Sequence, residues 1–303
     1  MSRAIALALL LAGCAHATPP PVATAPKSAR LWFGGDVNLG PGGHHALDGL
    51  VPLVHGLGVG VVNLEGAVAT QLPTGPGLKL WNAPEALSEL SQLDARAVGI
   101  ANNHAADTGS DGLEKTASAV RGAGFLPFGG PAGATVLTLG AHKIALTAHD
   151  LEHGVPPHLI DDLRVARAQG DTLVATFHVT GPASYLPRPE LKEAVEIALA
   201  AGAKIVIAHG SHAIGPLERR GDAVIAWGLG NVCFACDCTK ESDAILVALD
   251  LDASPIGVQV LPIDAGLNSA PARPAKDPAG LFDLLEAIGT PKLTRAGDRA
   301  SLP

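Results

Sequence analysis

Aromatic residues are scarce in this 303-residue chain, where six Phe, three Trp and one Tyr make up 3%. Charge is thin as well: 21 Lys and Arg face 29 Asp and Glu, a net of −8. With no basic excess and few rings to stack on bases, nucleic acid is excluded as a partner. The sequence has no basic amphipathic face for lying on a lipid surface. No apolar run in it reaches the roughly 20 residues that a transmembrane helix needs. Hydrophobic residues are abundant, at 47%, together with 36 Gly and 24 Pro. A mean hydropathy of +0.28 excludes disorder over most of the length. Such a chain is long enough for two ordinary domains or for one large α/β domain.

The first residues read as an address. Arg3 puts one positive charge ahead of the apolar stretch 4–12, which predicts a signal peptide over residues 1–13. Leu11-Ala12-Gly13-Cys14 resembles the bacterial lipobox, in which the cysteine is lipidated and becomes the first mature residue. An ordinary signal peptide with an incidental Cys14 is the alternative. Residues 14–29 are rich in Pro and Ala and lack periodicity, the composition of a tether. The expectation is an extracytoplasmic, cell-envelope lipoprotein at the periplasmic face or cell surface. It would touch the membrane through its anchor alone and carry one folded domain over 30–303. In that compartment Cys233, Cys236 and Cys238 can form one disulfide and leave a free thiol. Metal ligation by this trio stays open, although no fourth ligand lies nearby in sequence.

From Arg30 onward, short apolar runs alternate with helical stretches. Runs at 30–34, 59–63, 97–100, 172–177, 204–208 and 224–229 are rich in Val and Ile and read as buried strands. Asp111 and Glu114 suggest a capping box opening a helix that Gly124 stops. A second helix opens at Pro189 and ends at Gly202, and a third covers 281–288. The segments 135–139 and 143–147 predict a hairpin, as do 244–251 and 257–263. Alternating strands and helices imply an α/β fold with its sheet covered on both faces.

The polar residues are not scattered. Asp36, Glu65, Asn103-His104, His178, and His209 with His212 each follow an apolar run. In open α/β sheets, sites form at the carboxyl ends of strands. Carboxylate, amide and imidazole donors together suit one or two divalent ions such as Mn, Fe, Zn or Mg. Two ions about 4 Å apart can clamp a phosphoryl group. His149-Asp150 follows another strand and is a candidate pocket contact. His44, His45, His55, His142, His153 and His158 read as solvated or capping side chains. Trp81 and Trp227 read as core or pocket rim, and Arg219-Arg220 as a solvated hairpin tip. Ser211 lacks the second glycine of a nucleophile elbow.

The segments GGDVNLG, VVNLEG, GIANNHAADTGSDGLEKT, FHVTG, IAHGSHAIGPLE and WGLGN resemble, in order, the motifs of the CapA family. These bacterial proteins are associated with capsule and poly-γ-glutamate synthesis, and they are similar in fold to calcineurin-like metallophosphatases. The resemblance spans residues 30–235. It implies a sandwich of β-sheets flanked by helices, with Asp36, Glu65, Asn103, His178, His209 and His212 as metal ligands. It implies His104 as general acid or transition-state donor and Asn102 as a pocket residue, with Asn231 either lining the pocket or capping a turn. The implied activity is metal-dependent hydrolysis of a phosphoester or an anionic envelope polymer. The alternative is a non-catalytic component of a membrane polymer-synthesis complex. Two departures stand out: Asn38 occupies a position where many metallophosphatases carry a ligand histidine, and His209 and His212 are three apart rather than two.

Overall fold

The computed structural model describes residues 29–42, 45–268 and 270–303. The expected signal peptide, Cys14, the tether up to residue 28 and His44 lie outside the described residues.

Two sheets pack face to face. The first is built around Arg30–Asn38, which is flanked by the parallel strand Val59–Leu64 and the antiparallel strand Asp243–Asp250. Ala95–Gly99 and Leu126–Phe128 extend it in parallel on one side. Gly257–Asp264, Arg299–Ser301 and Thr294–Ala296 extend it on the other. Asn231–Phe234 runs parallel to the carboxyl half of Arg30–Asn38. The second sheet has the order Leu217–Arg220, Ala223–Ala226, Ile205–His209, Thr172–His178, His142–Asp150, Thr135–Leu139. Its four middle strands are parallel.

Period-2 alternation explains the layering. Leu31, Phe33 and Val61 point between the sheets, where they meet Leu146, Val174 and Ile207. Trp32 and Val62 point the other way, onto a layer containing Leu53, Leu90 and Val120. In the second sheet Leu173, Ala175 and Val206 face the helices Leu159–Arg167 and Pro189–Ala200. The central strands of both sheets are thus buried on both faces, which is why their sequences read as continuous apolar runs. Fully buried side chains of the size of Phe33 or Leu31 contribute about 2 kcal/mol each.

Several expected elements shift. The helix after Asp111 is Gly112–Gly122, but no capping box forms: Asp111 makes no side-chain cap and instead lies 2.7 Å from Lys115. The C-terminal helix starts earlier, at Pro278, where Asp277 caps it by accepting from the Gly280 N–H at 2.9 Å. Its Leu281, Phe282 and Leu285 join the core between the sheets. The expected hairpin forms from 135–139 and 142–150, and its second strand runs on into the second sheet beside Thr172–His178. Arg219 and Arg220 are not a solvated tip. Both lie within a strand, Arg219 donating to the Pro303 and Ile256 carbonyls and Arg220 gripping Glu218 and Glu196 over the Trp227 ring. Gly221 and Asp222 form the tip. Cys236 and Cys238 are disulfide-bonded, while Cys233 is a free, buried thiol that burial pushes well above its ordinary pKa. None of the three joins a metal-ligating group among the described residues.

Candidate functional site

Register brings the polar strand ends to one place. In the first sheet Asp36 pairs with Asn63 on one side and Asn231 on the other. In the second, His178 pairs with His209 on one side and Asp150 on the other. Because the sheets are stacked, these two rows of residues meet at the carboxyl edge of the sandwich.

Close backbone approach makes this possible. A Cβ on Gly35 would sit 1.9 Å from the Gly230 carbonyl oxygen, the group that accepts the Asp36 N–H at 3.1 Å. Only glycine lets these chains touch, and Asn231 is thereby set beside Asp36.

Asp36 is at the centre and is 1% exposed. Its Oδ1 accepts from Asn63 Nδ2 at 2.8 Å and its Oδ2 from the Gly210 N–H at 2.9 Å. His209 Nδ1 is 3.7 Å from Oδ1, and His212 Nδ1 is 3.6 Å from Oδ2. Glu65 Oε1 lies 3.9 Å from His178 Nε2 and 3.8 Å from His212 Nε2. His178 Nε2 is also 2.9 Å from Asn103 Oδ1, and His178 Nδ1 is 3.3 Å from Asn63 Nδ2. Each of the six candidate ligands thus lies within 4 Å of another, but only Asp36, Glu65 and His178 bring ligand atoms within 4.8 Å of one another as a group. His212 adopts a left-handed backbone at φ 52° and stacks edge-on over Phe234, with ring centroids 5.0 Å apart. A non-glycine residue held in that region is a costly placement that clusters at functional sites.

Burial alone pushes the Asp36 carboxyl up, but His178, His209, His212 and the Gly210 N–H together hold it below its ordinary value. Glu65 behaves oppositely: burial, then the Asp36 and Asp150 carboxylates, push it well above the usual range. Two acids of one type are driven apart by environment. Burial drives His178 down to about 3 against the pull of Asp36, and it lowers His209 too. Both imidazoles are thus neutral near pH 7, the form that ligates metals.

The donor set fits a divalent ion. Donor atoms of Asp36, Glu65 and His178 lie within 4.8 Å of one another. Two buried donors, Glu65 Oε2 and His209 Nδ1, have no hydrogen-bond partner. Buried polar atoms are rarely left unsatisfied, and an ion is one of the few things that satisfies a carboxylate oxygen and an imidazole nitrogen at once.

The other expected site residues divide. His104 stands beside the cluster with its Nδ1 2.8 Å from Asp107 Oδ2. Asp107 also accepts from the Leu80 N–H at 2.7 Å and from Lys79 Nζ at 3.1 Å. Asn102 buttresses the backbone, donating to the Leu64 carbonyl at 2.9 Å. Asn231 Oδ1 is 2.9 Å from His212 Nδ1. His149 lies away from the cluster, lining a cavity of about 650 Å³ that Asn102 and Asn103 also border. Asn38 does not face the cluster; its amide donates to the Glu65 and Trp81 carbonyls, each at 3.0 Å.

Sequence reasoning missed Asn63, Asp107 and Lys79. Asn63 had a signal, since it lies two residues before Glu65 and strand alternation puts both on one face. Asp107 had one in its three-residue spacing from His104. Lys79 comes from an irregular loop and had none.

Residues 30–235 match the family described as bacterial capsule synthesis protein PGA_cap. The chain is similar to "PGA biosynthesis protein CapA" of Bacillus subtilis (strain 168), with 25% identity over 222 residues. That match covers 66% of this chain and 58% of the relative, so less than two thirds of the relative's length is spanned. Among solved structures, a hypothetical protein of Thermus thermophilus superposes with a TM-score of 0.54 at 14% identity, covering 77% of this chain and 99% of that one. A novel phosphatase of Mycoplasma pneumoniae gives 0.53 at 14% identity, covering 78% and 95%. These likenesses establish the metallophosphatase fold, and the sequence match establishes the kinship. The chain belongs to the bacterial capsule synthesis family PGA_cap.

Proposed function

We propose that this protein is a metal-dependent hydrolase of the cell envelope, held there by a lipid on Cys14, acting on a phosphoester or an anionic envelope polymer. The observation that carries this is the pair of buried, partnerless donors, Glu65 Oε2 and His209 Nδ1, inside a cluster that already holds Asp36 and His178. Asp36, Glu65, Asn103, His178, His209 and His212 would hold one or two ions of the Mn, Fe, Zn or Mg class. Such an ion supplies Lewis acidity toward an anionic ester.

The chain's own residues do the rest. Gly210 N–H and Asn63 Nδ2 fix both oxygens of Asp36 and so fix its orientation. Asp107 accepts from the His104 Nδ1–H and so orients the ring; in its protonated form His104 would present its Nε2–H to the substrate and donate to the leaving oxygen. Burial of the cluster excludes bulk water and strengthens each of these interactions.

Metal analysis of the purified protein, followed by hydrolysis of bis(p-nitrophenyl) phosphate with and without Mn, tests the proposal. Expected are stoichiometric metal, Mn-dependent turnover, and loss of turnover with retained metal in His104→Ala. A protein that takes up no divalent ion would refute it.

Asn38 favours a second reading, a non-catalytic binding component of a capsule or polyglutamate synthesis complex. Its amide is committed to two backbone carbonyls, so one position that often carries a ligand histidine supplies no donor. Metal uptake without turnover on any phosphoester would select this reading.

A further inference from the structure

The segment that follows Glu65 is irregular, yet it is tightly held. Asn38 and Asn82 both donate to the Glu65 carbonyl, each at 3.0 Å, and the Gly66 N–H donates to Asn102 Oδ1 at 3.3 Å. The chain then folds back on itself. Ala67–Val68 pairs with Trp81–Asn82, and the Ala67 N–H donates to the Leu80 carbonyl at 3.3 Å. This fold-back carries Lys79 and Leu80 to Asp107. There the Leu80 N–H and His104 Nδ1 share Asp107 Oδ2, at 2.7 and 2.8 Å, while Lys79 Nζ donates to Oδ1 at 3.1 Å. Among the described residues, Oδ1 receives no other hydrogen bond, and the Lys79 ammonium makes none elsewhere. The Asp107 side chain is 7% exposed and that of Lys79 25%, so the pair is sheltered from the screening that weakens surface ion pairs.

We propose that Lys79 is a positioning residue for His104, acting through Asp107. The proposal deepens the hydrolase reading and rests on it for the role of His104. A carboxylate held at one oxygen can swing about its last side-chain bond, where the torsional wells are broad. Held at both oxygens, it cannot swing without breaking a hydrogen bond. Lys79 and Leu80 thus fix the plane of the Asp107 carboxylate. Because hydrogen bonds are directional, that plane fixes the His104 ring. The lysine charge matters as well as its reach. It compensates a carboxylate in a sheltered place, and an ionised acceptor holds the His104 Nδ1–H about twice as strongly as a neutral one. A neutral, non-donating side chain at position 79 would leave Oδ1 without a partner. The fold-back itself is anchored by backbone pairing and by Asn82, neither of which involves the Lys79 side chain, so it should survive the loss of the ammonium.

The test uses the full chain and two readouts. In Mn-dependent hydrolysis of bis(p-nitrophenyl) phosphate, Lys79→Met should lower kcat about 10- to 100-fold, the cost of misplacing a reacting group by about an ångström. KM and Mn affinity should stay as they are, and Lys79→Arg, which keeps the charge, should recover most of the loss. Adding Lys79→Met to Asp107→Asn should cost nothing further, because the lysine acts only through that carboxylate. The second readout needs no turnover. In protein carrying isotope-labelled histidine, with diamagnetic Zn present, the His104 Nδ1–H resonance is identified by its disappearance in His104→Asn. It should be sheltered from water exchange in the wild type and Lys79→Arg, and lost to exchange in Lys79→Met. Should Lys79→Met fail to fold, Lys79→Gln is read in the same way. A resonance unchanged in Lys79→Met, a loss of kcat that adds to that of Asp107→Asn, or an equal loss in Lys79→Arg would overturn the proposal. A wild type without turnover whose resonance is lost in Lys79→Met would overturn the hydrolase and uphold the positioning.

Discussion

Gly210→Ala is the sharpest single perturbation of the centre. Gly210 has φ +84°, and a Cβ there would lie 2.7 Å from the Val179 carbonyl oxygen and 2.8 Å from His178 Nε2. Both obstacles are fixed: one is backbone, and the other is a buried ring bonded at both nitrogens. A left-handed alanine costs about 1–2 kcal/mol in backbone strain, and forcing apart a packed contact adds about 1–3 kcal/mol. At roughly 2 °C per kcal/mol for a domain of this size, the melting temperature should fall by about 4–10 °C. Displacing His178 also moves it off Asn103 and away from Glu65, so Mn affinity should drop about 10- to 100-fold, as when a ligand loses its support. Gly221→Ala supplies the control. It too is left-handed, at φ +59°, but nothing lies within 4 Å of its Cβ position. That variant should show the strain cost alone, with Mn affinity unchanged. Thermal unfolding and calorimetric Mn titration read both. If the two alanine variants bound Mn equally well, the claim that His178 is held at the centre by the shape of the 209–212 turn would be wrong.

Further outcomes follow from the electrostatics. Because Glu65 is held above the ordinary carboxylate range, a proton competes with an entering ion for it; Mn affinity should climb with pH, and Glu65→Gln should both flatten that dependence and cost at least about a hundredfold in affinity, read by titration from pH 5.5 to 8. In the metal-free protein, unfolded His178 takes up a proton below its ordinary 6.5 whereas the folded residue does so only near 3. The unfolded state therefore holds more protons in that window, and stability should fall as pH drops through it, by about 2 kcal/mol at pH 5 from this residue. Asp36, held low, acts in the same direction, while Glu65 and Asp150, held high, oppose it. A pH 5 to pH 7 change in urea midpoint that is the same in His178→Asn as in the wild type would count against the buried neutral imidazole. Asp107→Asn should lower metal-dependent turnover about 10- to 100-fold with Mn binding intact, since it alters the group that orients His104 rather than any candidate ligand; a loss of Mn binding instead would place Asp107 among the structural supports of the cluster.

The fold was legible where strands are buried on both faces. Val59–Leu64 and Ile205–His209 carry no exposed residue, so their sequences leave little choice but an interior strand. Edge elements were harder. Arg299–Ser301 and Thr294–Ala296 are short and partly exposed, with no apolar run to mark them. The two-residue strands Ala67–Val68 and Trp81–Asn82 pair across an irregular loop that periodicity does not describe. The helix start at Gly112 misled because a capping box is a pattern of residue types, while Asp111 is exposed and finds a better partner in Lys115.

The candidate site was legible for a related reason: in parallel sheets the strand direction is set by the helical crossovers, so residues that follow apolar runs must gather at one edge whatever the sequence distance between them. That logic locates Asp36, Glu65, Asn103, His178 and His209 without knowing the order of the strands. It does not locate His149, which also follows the same kind of run. His149 and Asp150 are adjacent on one strand, so their side chains leave it in opposite directions, and only Asp150 comes level with His178. His149 therefore serves the cavity alone, whereas Asp150 stands between cavity and cluster, lining the first and raising the Glu65 carboxyl in the second. The sequence names the edge of the sheet but not which way each side chain turns there.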